Sequence, residues 1–172
     1  MRHAWRCAPG PATALALAAL LAGCASAPPP PPAPLTGVPE LPSIPSRLSP
    51  AQAADVTLQA ISLVGTPYRF GGNTPHSGFD CSGLIAYVYK ASAGVIAPRT
   101  VAALSSWGQA VPAAALRSGD LVLFALRGET DHAGIYVGEG RFVHAPSSGG
   151  EVRLDTLATS YWSRQQVSFR RP

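Results

Sequence analysis

Cysteine is scarce in this chain: three residues in 172. Cys7 and Cys24 lie in or at the edge of an N-terminal apolar segment, which leaves Cys81 as the one thiol of the folded part. Charge is scarce too, at 13% against about 25% in an average globular domain. Setting aside Arg2 and Arg6 lowers the formal net charge from +4 to +2, and the remaining arginines are scattered. The pI of 9.3 therefore describes no basic face, and no nucleic-acid partner is expected. The apolar run Ala12–Ala22 has 11 residues, well short of the about 20 that a membrane-spanning helix needs. No internal repeat is present.

What the N-terminus does have is the build of an export signal. Arg2 and Arg6 supply a positive start, Ala12–Ala22 an apolar core, and residues 1–23 read as a signal peptide. The core ends in Leu21-Ala22-Gly23-Cys24, which resembles the lipobox of bacterial lipoproteins. That resemblance implies cleavage before Cys24 and lipidation of it. Two or more acyl chains anchor a protein stably to a membrane. Ala25 stands where an aspartate would signal inner-membrane retention, which implies the outer membrane, facing the periplasm. A lipidated Cys24 leaves Cys81 without a disulfide partner in an oxidising compartment.

Residues 24–48 hold the lipidated cysteine and a linker. The stretch Ala27-Pro28-Pro29-Pro30-Pro31-Pro32-Ala33-Pro34 is too rich in proline for helix or sheet. It favours polyproline II, and the whole linker spans roughly 70 Å if extended. Such a length suits a spacer between a membrane and a folded domain.

Residues 49–172 form one domain. Ser49-Pro50 predicts a helix start, and Ala51, Ala54, Leu58 and Ile61 recur at helical spacing up to Gly65. A glycine-rich loop covers 66–79. A second helix is predicted from Asp80 to Ala91, with Gly94 beyond its end, and a third from Thr100 to Gln109. Strands are predicted at Asp120–Ala125, His132–Val137, Arg141–Ala145, Glu151–Leu154 and Gln166–Arg170. Helices first and strands afterwards predict an α+β fold with an antiparallel sheet.

Cys81 falls in the first turn of the second predicted helix. The positive end of a helix favours the thiolate, and a neighbouring imidazole completes the activation of a cysteine nucleophile. His76 reads as an exposed loop residue. His132 and His144 lie on successive strands around Gly138-Glu139-Gly140. A three-residue loop there puts both on one face, one as general base and the other as its orienter. Taken singly, each residue is more often a satisfied core residue than a catalyst; their combination points to catalysis. A zinc site of Cys81, His132 and His144 matches no compact spacing pattern and lacks a fourth ligand.

Phe79-Asp80-Cys81-Ser82-Gly83-Leu84, Asp131-His132-Ala133-Gly134-Ile135-Tyr136 and Phe142-Val143-His144-Ala145 resemble the three signature blocks of the NlpC/p60 family of cell-wall cysteine peptidases. Gly65-Thr66-Pro67-Tyr68-Arg69-Phe70-Gly71-Gly72, Pro98-Arg99-Thr100 and Leu116-Arg117-Ser118-Gly119-Asp120-Leu121 fit as well. The resemblance covers about residues 50–170. It implies a reduced papain-like fold, with N-terminal helices packed on the sheet. It implies Cys81 as nucleophile, His132 as base and His144 as the third polar residue. Tyr68 is implied near the oxyanion, Asp80 and Ser82 in the substrate cleft, and Arg99 beside it. Val101-Ala102-Ala103-Leu104 departs from the family, which often has a glutamine there. No metal or cofactor is implied. The implied substrate is the peptide of peptidoglycan, cut either at D-Ala–diaminopimelate or at γ-D-Glu–diaminopimelate. Two other uses of the same residues stay open: a wall-binding scaffold without catalysis, and a thiol-dependent acyltransferase or amidase on another substrate.

Overall fold

The computed structural model describes residues 43–126, 128–148 and 150–172. The expected signal peptide, Cys24 and the proline run lie outside the described residues. Helix α1, Pro50–Ser62, starts on a reciprocal cap. The Ser49 hydroxyl accepts the Gln52 N–H at 3.2 Å, and the Gln52 side chain accepts the Ser49 N–H at 2.9 Å. Helix α2, Cys81–Ala93, is capped by Asp80 and stopped by Gly94 in the left-handed conformation (φ 67°). Val56 and Ala60 of α1 share one core with Leu84, Ile85, Val88 and Tyr89 of α2.

Six strands make an antiparallel sheet. With two short strands, β1 (Asn73–Thr74) and β2 (Gly78–Phe79), set apart as a small hairpin, the sheet contains β3 (Gln109–Val111), β4 (Leu121–Ala125), β5 (Thr130–Gly138), β6 (Arg141–His144), β7 (Arg153–Thr156) and β8 (Gln166–Arg171). Their order is β3-β8-β4-β5-β6-β7. Side chains alternate between the two faces, as strand geometry requires. Leu121, Leu123, Ala133, Ile135 and Val143 pack in the core of α1 and α2. Val122, Phe124 and Phe142 form a second cluster with Trp162, which lies in a 3-10 turn at Trp162–Arg164. The fold is α+β with helices on an antiparallel sheet, as the sequence predicts.

Three elements depart from the sequence reading. Residues 73–79 of the predicted loop contain the β1–β2 hairpin. The third helix, α3, covers only Val101–Leu104. Turns follow it, Gly108 takes a left-handed conformation (φ 82°), and Gln109–Val111 pair with β8 instead of extending the helix. Strand β7 starts at Arg153, two residues later than expected, because residues 151–152 pair elsewhere. The Val152 N–H donates to the Thr66 carbonyl at 2.8 Å, and the Val152 carbonyl accepts the Gly65 N–H at 2.9 Å.

The last residues of the segment read as linker are docked on the domain. The Arg47 N–H and the Ser46 hydroxyl both donate to the Pro172 carbonyl, at 2.7 and 2.9 Å, and Leu48 is buried. Beside them Arg171 and Asp120 form a buried pair with two parallel hydrogen bonds, 2.9 and 2.8 Å.

Candidate active site

Cys81 is the first residue of α2, and its surroundings are set by Asp80. One Asp80 oxygen accepts the Gly83 N–H at 2.6 Å, which caps the helix; the other accepts the Gly71 N–H at 2.9 Å. The Asp80 N–H in turn donates to the Gly72 carbonyl at 3.1 Å. The glycine loop is thereby held against the helix start. Gly83 makes the approach possible, because a Cβ there would collide with the Gly72 carbonyl.

The thiol of Cys81 is partly buried and, among the described residues, free. Burial pushes its pKa above the usual cysteine value, and the Asp80 carboxylate adds to this. Backbone N–H groups of Ser82, Ala133 and Cys81 itself oppose the shift without cancelling it. The expectation that the helix terminus lowers this pKa is corrected: burial and a like charge outweigh the helix end. The contact with Ala133 brings the thiol to the start of β5, one residue from His132. Among the described residues no hydrogen bond joins the thiol to either imidazole.

His132 and His144 share a face, by a route other than the predicted three-residue loop. Glu139 and Gly140 form a two-residue tip with positive φ (52° and 71°), between Gly138 and its partner Arg141. A bulge between Tyr136 and Gly138 adds the residue that restores the parity. Gly134 then pairs with His144, so His132, two positions away, points to the same side. Nε2 of His132 lies 2.8 Å from Nδ1 of His144.

The chain of contacts continues to Asp155 on β7. Nε2 of His144 lies 3.0 Å from Asp155 Oδ2, which also accepts the Trp162 indole N–H at 2.9 Å. Arg153 donates to Asp155 Oδ1 at 3.1 Å. Trp162 stacks on His132 (centroids 5.8 Å, planes 18° apart) and meets His144 edge-on at 5.1 Å. Burial lowers the pKa of His132, and neighbouring His144 lowers it further. Burial also lowers that of His144, against the pull of Asp155. Both rings are therefore neutral near pH 7, and the His144–Asp155 contact is a charge-assisted hydrogen bond, not an ion pair. Burial favours a neutral Asp155, but bonds from Trp162 and His144, with the Arg153 charge, outweigh it and hold its pKa below the usual value.

Asp155 and Trp162 were not legible as site residues. Asp155 lies one position beyond the predicted end of its strand, and only the register Phe142↔Asp155 puts it on the histidine face.

The remaining residues named from the sequence divide. Tyr68 is half-buried; burial raises its phenol pKa, and Cys81 and Asp80 raise it further, so it faces the thiol's surroundings as a neutral hydroxyl. Arg99 lies 3.5 Å from Asp80 and donates to the Gly71 carbonyl at 3.4 Å, so it braces the glycine loop. Ser82, implied in the cleft, is buried instead. Its hydroxyl lies 2.8 Å from the Arg99 carbonyl and 2.9 Å from Asp80 Oδ1, so its one proton is used internally. His76 is exposed in the turn of the β1–β2 hairpin.

The NlpC/P60 family model matches residues 65–171. The murein DD-endopeptidase MepH of Escherichia coli is 43% identical over 112 residues, which cover 63% of this chain and 41% of MepH. The gamma-DL-glutamyl hydrolase of Bacillus subtilis is 39% identical over 118 residues, covering 67% of this chain and 28% of the hydrolase. The chain thus spans less than half the length of either relative. The crystal structure of the NlpC/p60 domain of the peptidoglycan hydrolase SagA has 32% sequence identity and a TM-score of 0.59, covering 67% of this chain and 96% of that one. With the model spanning the strands and the helix that carry Cys81, His132 and His144, this chain belongs to the NlpC/P60 family.

Proposed function

We propose that this chain is a peptidoglycan endopeptidase, a cysteine hydrolase that cuts amide bonds in stem peptides or cross-links. The observation that carries the reading is the thiol at the start of α2, in contact with the backbone of Ala133, the residue that follows His132 at the head of a buried, neutral histidine chain. A thiol with a raised pKa needs a base, and a neutral imidazole is one. His132 takes the Cys81 proton as the sulfur attacks the amide carbonyl, and the tetrahedral oxyanion is met by the Cys81 N–H and the Tyr68 hydroxyl. Collapse gives a thioester, with the proton passing from His132 to the leaving amine. Water, deprotonated by His132, then frees the acid and restores the thiol.

The bond is one of two, D-Ala–diaminopimelate or γ-D-Glu–diaminopimelate. The relatives' names support hydrolysis of the two general kinds: one is a murein DD-endopeptidase and the other a gamma-DL-glutamyl hydrolase. Incubation of the chain with purified peptidoglycan, followed by analysis of released muropeptides, tests both. Cleaved cross-links identify the first bond and shortened monomeric stems the second; unchanged muropeptides overturn the reading.

The same proposal includes the anchor. Lipidated Cys24 and the linker would hold the domain on the outer membrane, facing the wall in the periplasm. Cys24→Ser should move the protein from the membrane to the soluble fraction; a variant that stays membrane-bound in high salt overturns the anchor alone.

A further inference from the structure

The base proposed above must keep one ring nitrogen of His132 bare, and the far end of the hydrogen-bond chain decides which. The Asp155 carboxylate has no hydrogen to give. Its 3.0 Å contact with Nε2 of His144 is a hydrogen bond only if that nitrogen carries hydrogen. The other groups on the carboxylate are the Trp162 indole N–H and the Arg153 guanidinium, which only donate. In a neutral His144, hydrogen on Nε2 leaves Nδ1 bare. A bare Nδ1 at 2.8 Å from Nε2 of His132 requires hydrogen on that Nε2. In a neutral His132 this leaves Nδ1 bare, free to accept a proton.

We propose that Asp155 is a positioning residue which, acting through His144, fixes His132 in the form that carries hydrogen on Nε2 and leaves Nδ1 as the base. Without the carboxylate, His144 is free to carry its hydrogen on Nδ1 and donate toward His132. That reversal moves the His132 hydrogen to Nδ1 and occupies the nitrogen the reaction needs. The inference rests on His132 being the base.

Ring-nitrogen NMR of the full-length chain, labelled at histidine, tests the assignment without substrate. The wild type should show hydrogen on Nε2 of both rings; hydrogen on Nδ1 of His132 overturns the proposal, whether or not any variant folds. In Asp155→Ala the single form of His132 should give way to a mixture. Turnover of peptidoglycan should fall on the order of 10²-fold with KM nearly unchanged, less than the about 10⁴-fold loss caused by neutralising the aspartate that directly contacts the base in a serine protease. Asp155 lines a pocket of about 360 Å³ with His144 and Trp162. Added formate should restore the single form and much of the rate. A variant that loses activity while His132 keeps its form, or that formate does not rescue, shows a merely structural aspartate. If the wild type has the expected forms but cleaves nothing, the endopeptidase reading fails and the positioning of the rings stands.

Discussion

His132 and His144 touch through Nε2 and Nδ1 at 2.8 Å, inside a cluster with Phe124, Phe142 and Trp162. Both rings are held neutral, chiefly by burial. In the unfolded chain each takes a proton as pH falls through about 6.5. A group whose folded pKa is depressed adds stability that is fully present above the unfolded value and is lost as pH falls toward the folded one. Urea unfolding midpoints should therefore drop between about pH 7 and about pH 5. A midpoint that stays level across that window contradicts a neutral buried pair.

Asp80 has two effects that one substitution separates. As N-cap it stabilises α2, and as a charge it raises the Cys81 pKa. Asparagine caps about as well as aspartate. The exposed end of the Arg99 contact is worth at most about 1 kcal/mol. Asp80→Asn keeps an oxygen for the Gly83 N–H but puts an NH₂ against the Gly71 N–H, so it should lose about the 1 kcal/mol of one hydrogen bond while Cys81 reacts faster with iodoacetamide near neutral pH. An unchanged alkylation rate would show that the carboxylate does not reach the thiol.

The start of α2 was legible because its signals are local: aspartate before the first turn and glycine after the last. Five strands of the sheet, β4 to β8, were legible as short runs between turn residues, whereas β3 and the β1–β2 hairpin were not. That His132 and His144 share a face was also foreseen, but through a three-residue loop; the bulge after Tyr136 reaches the same parity by another path. The overextended third helix shows the limit of local signals, since Gln109–Val111 are claimed by β8 from far along the chain. The sign of the Cys81 shift was hidden for a related reason. A helix terminus is visible in sequence, whereas the burial that opposes it is a property of the packed domain. Asp155 depends on the β6–β7 register, which no residue near it encodes.

The Asp120–Arg171 pair is a structural counterpart to the site, nearly sealed from solvent. Arg171 also donates to the Ala115 carbonyl at 2.6 Å, while its Nη1 is buried without a partner among the described residues. Removing one member of such a pair leaves an uncompensated buried charge, at a cost of about 3–5 kcal/mol. Asp120→Leu and Arg171→Met should each lose stability of that order in urea unfolding, and the two combined should lose less than either. A double variant as weak as the sum of the two singles would show that the charges are not coupled.

His132 and His144 should tolerate change unequally. His132→Ala removes the proposed base, so cleavage of peptidoglycan should fall to the level of Cys81→Ala, which keeps the fold but has no nucleophile. Either variant retaining wild-type turnover would refute the role assigned to its residue. His144→Gln is different, because an amide keeps an acceptor and a donor. Its oxygen can take the His132 Nε2–H while its NH₂ donates to Asp155, so the direction of the chain survives. Its kcat/KM should fall by about 10- to 100-fold, in the range found when an outer partner of a catalytic ligand is altered, and stay well above that of His132→Ala. Equal losses in the two variants would mean that His144 does more than pass on the orientation set at Asp155.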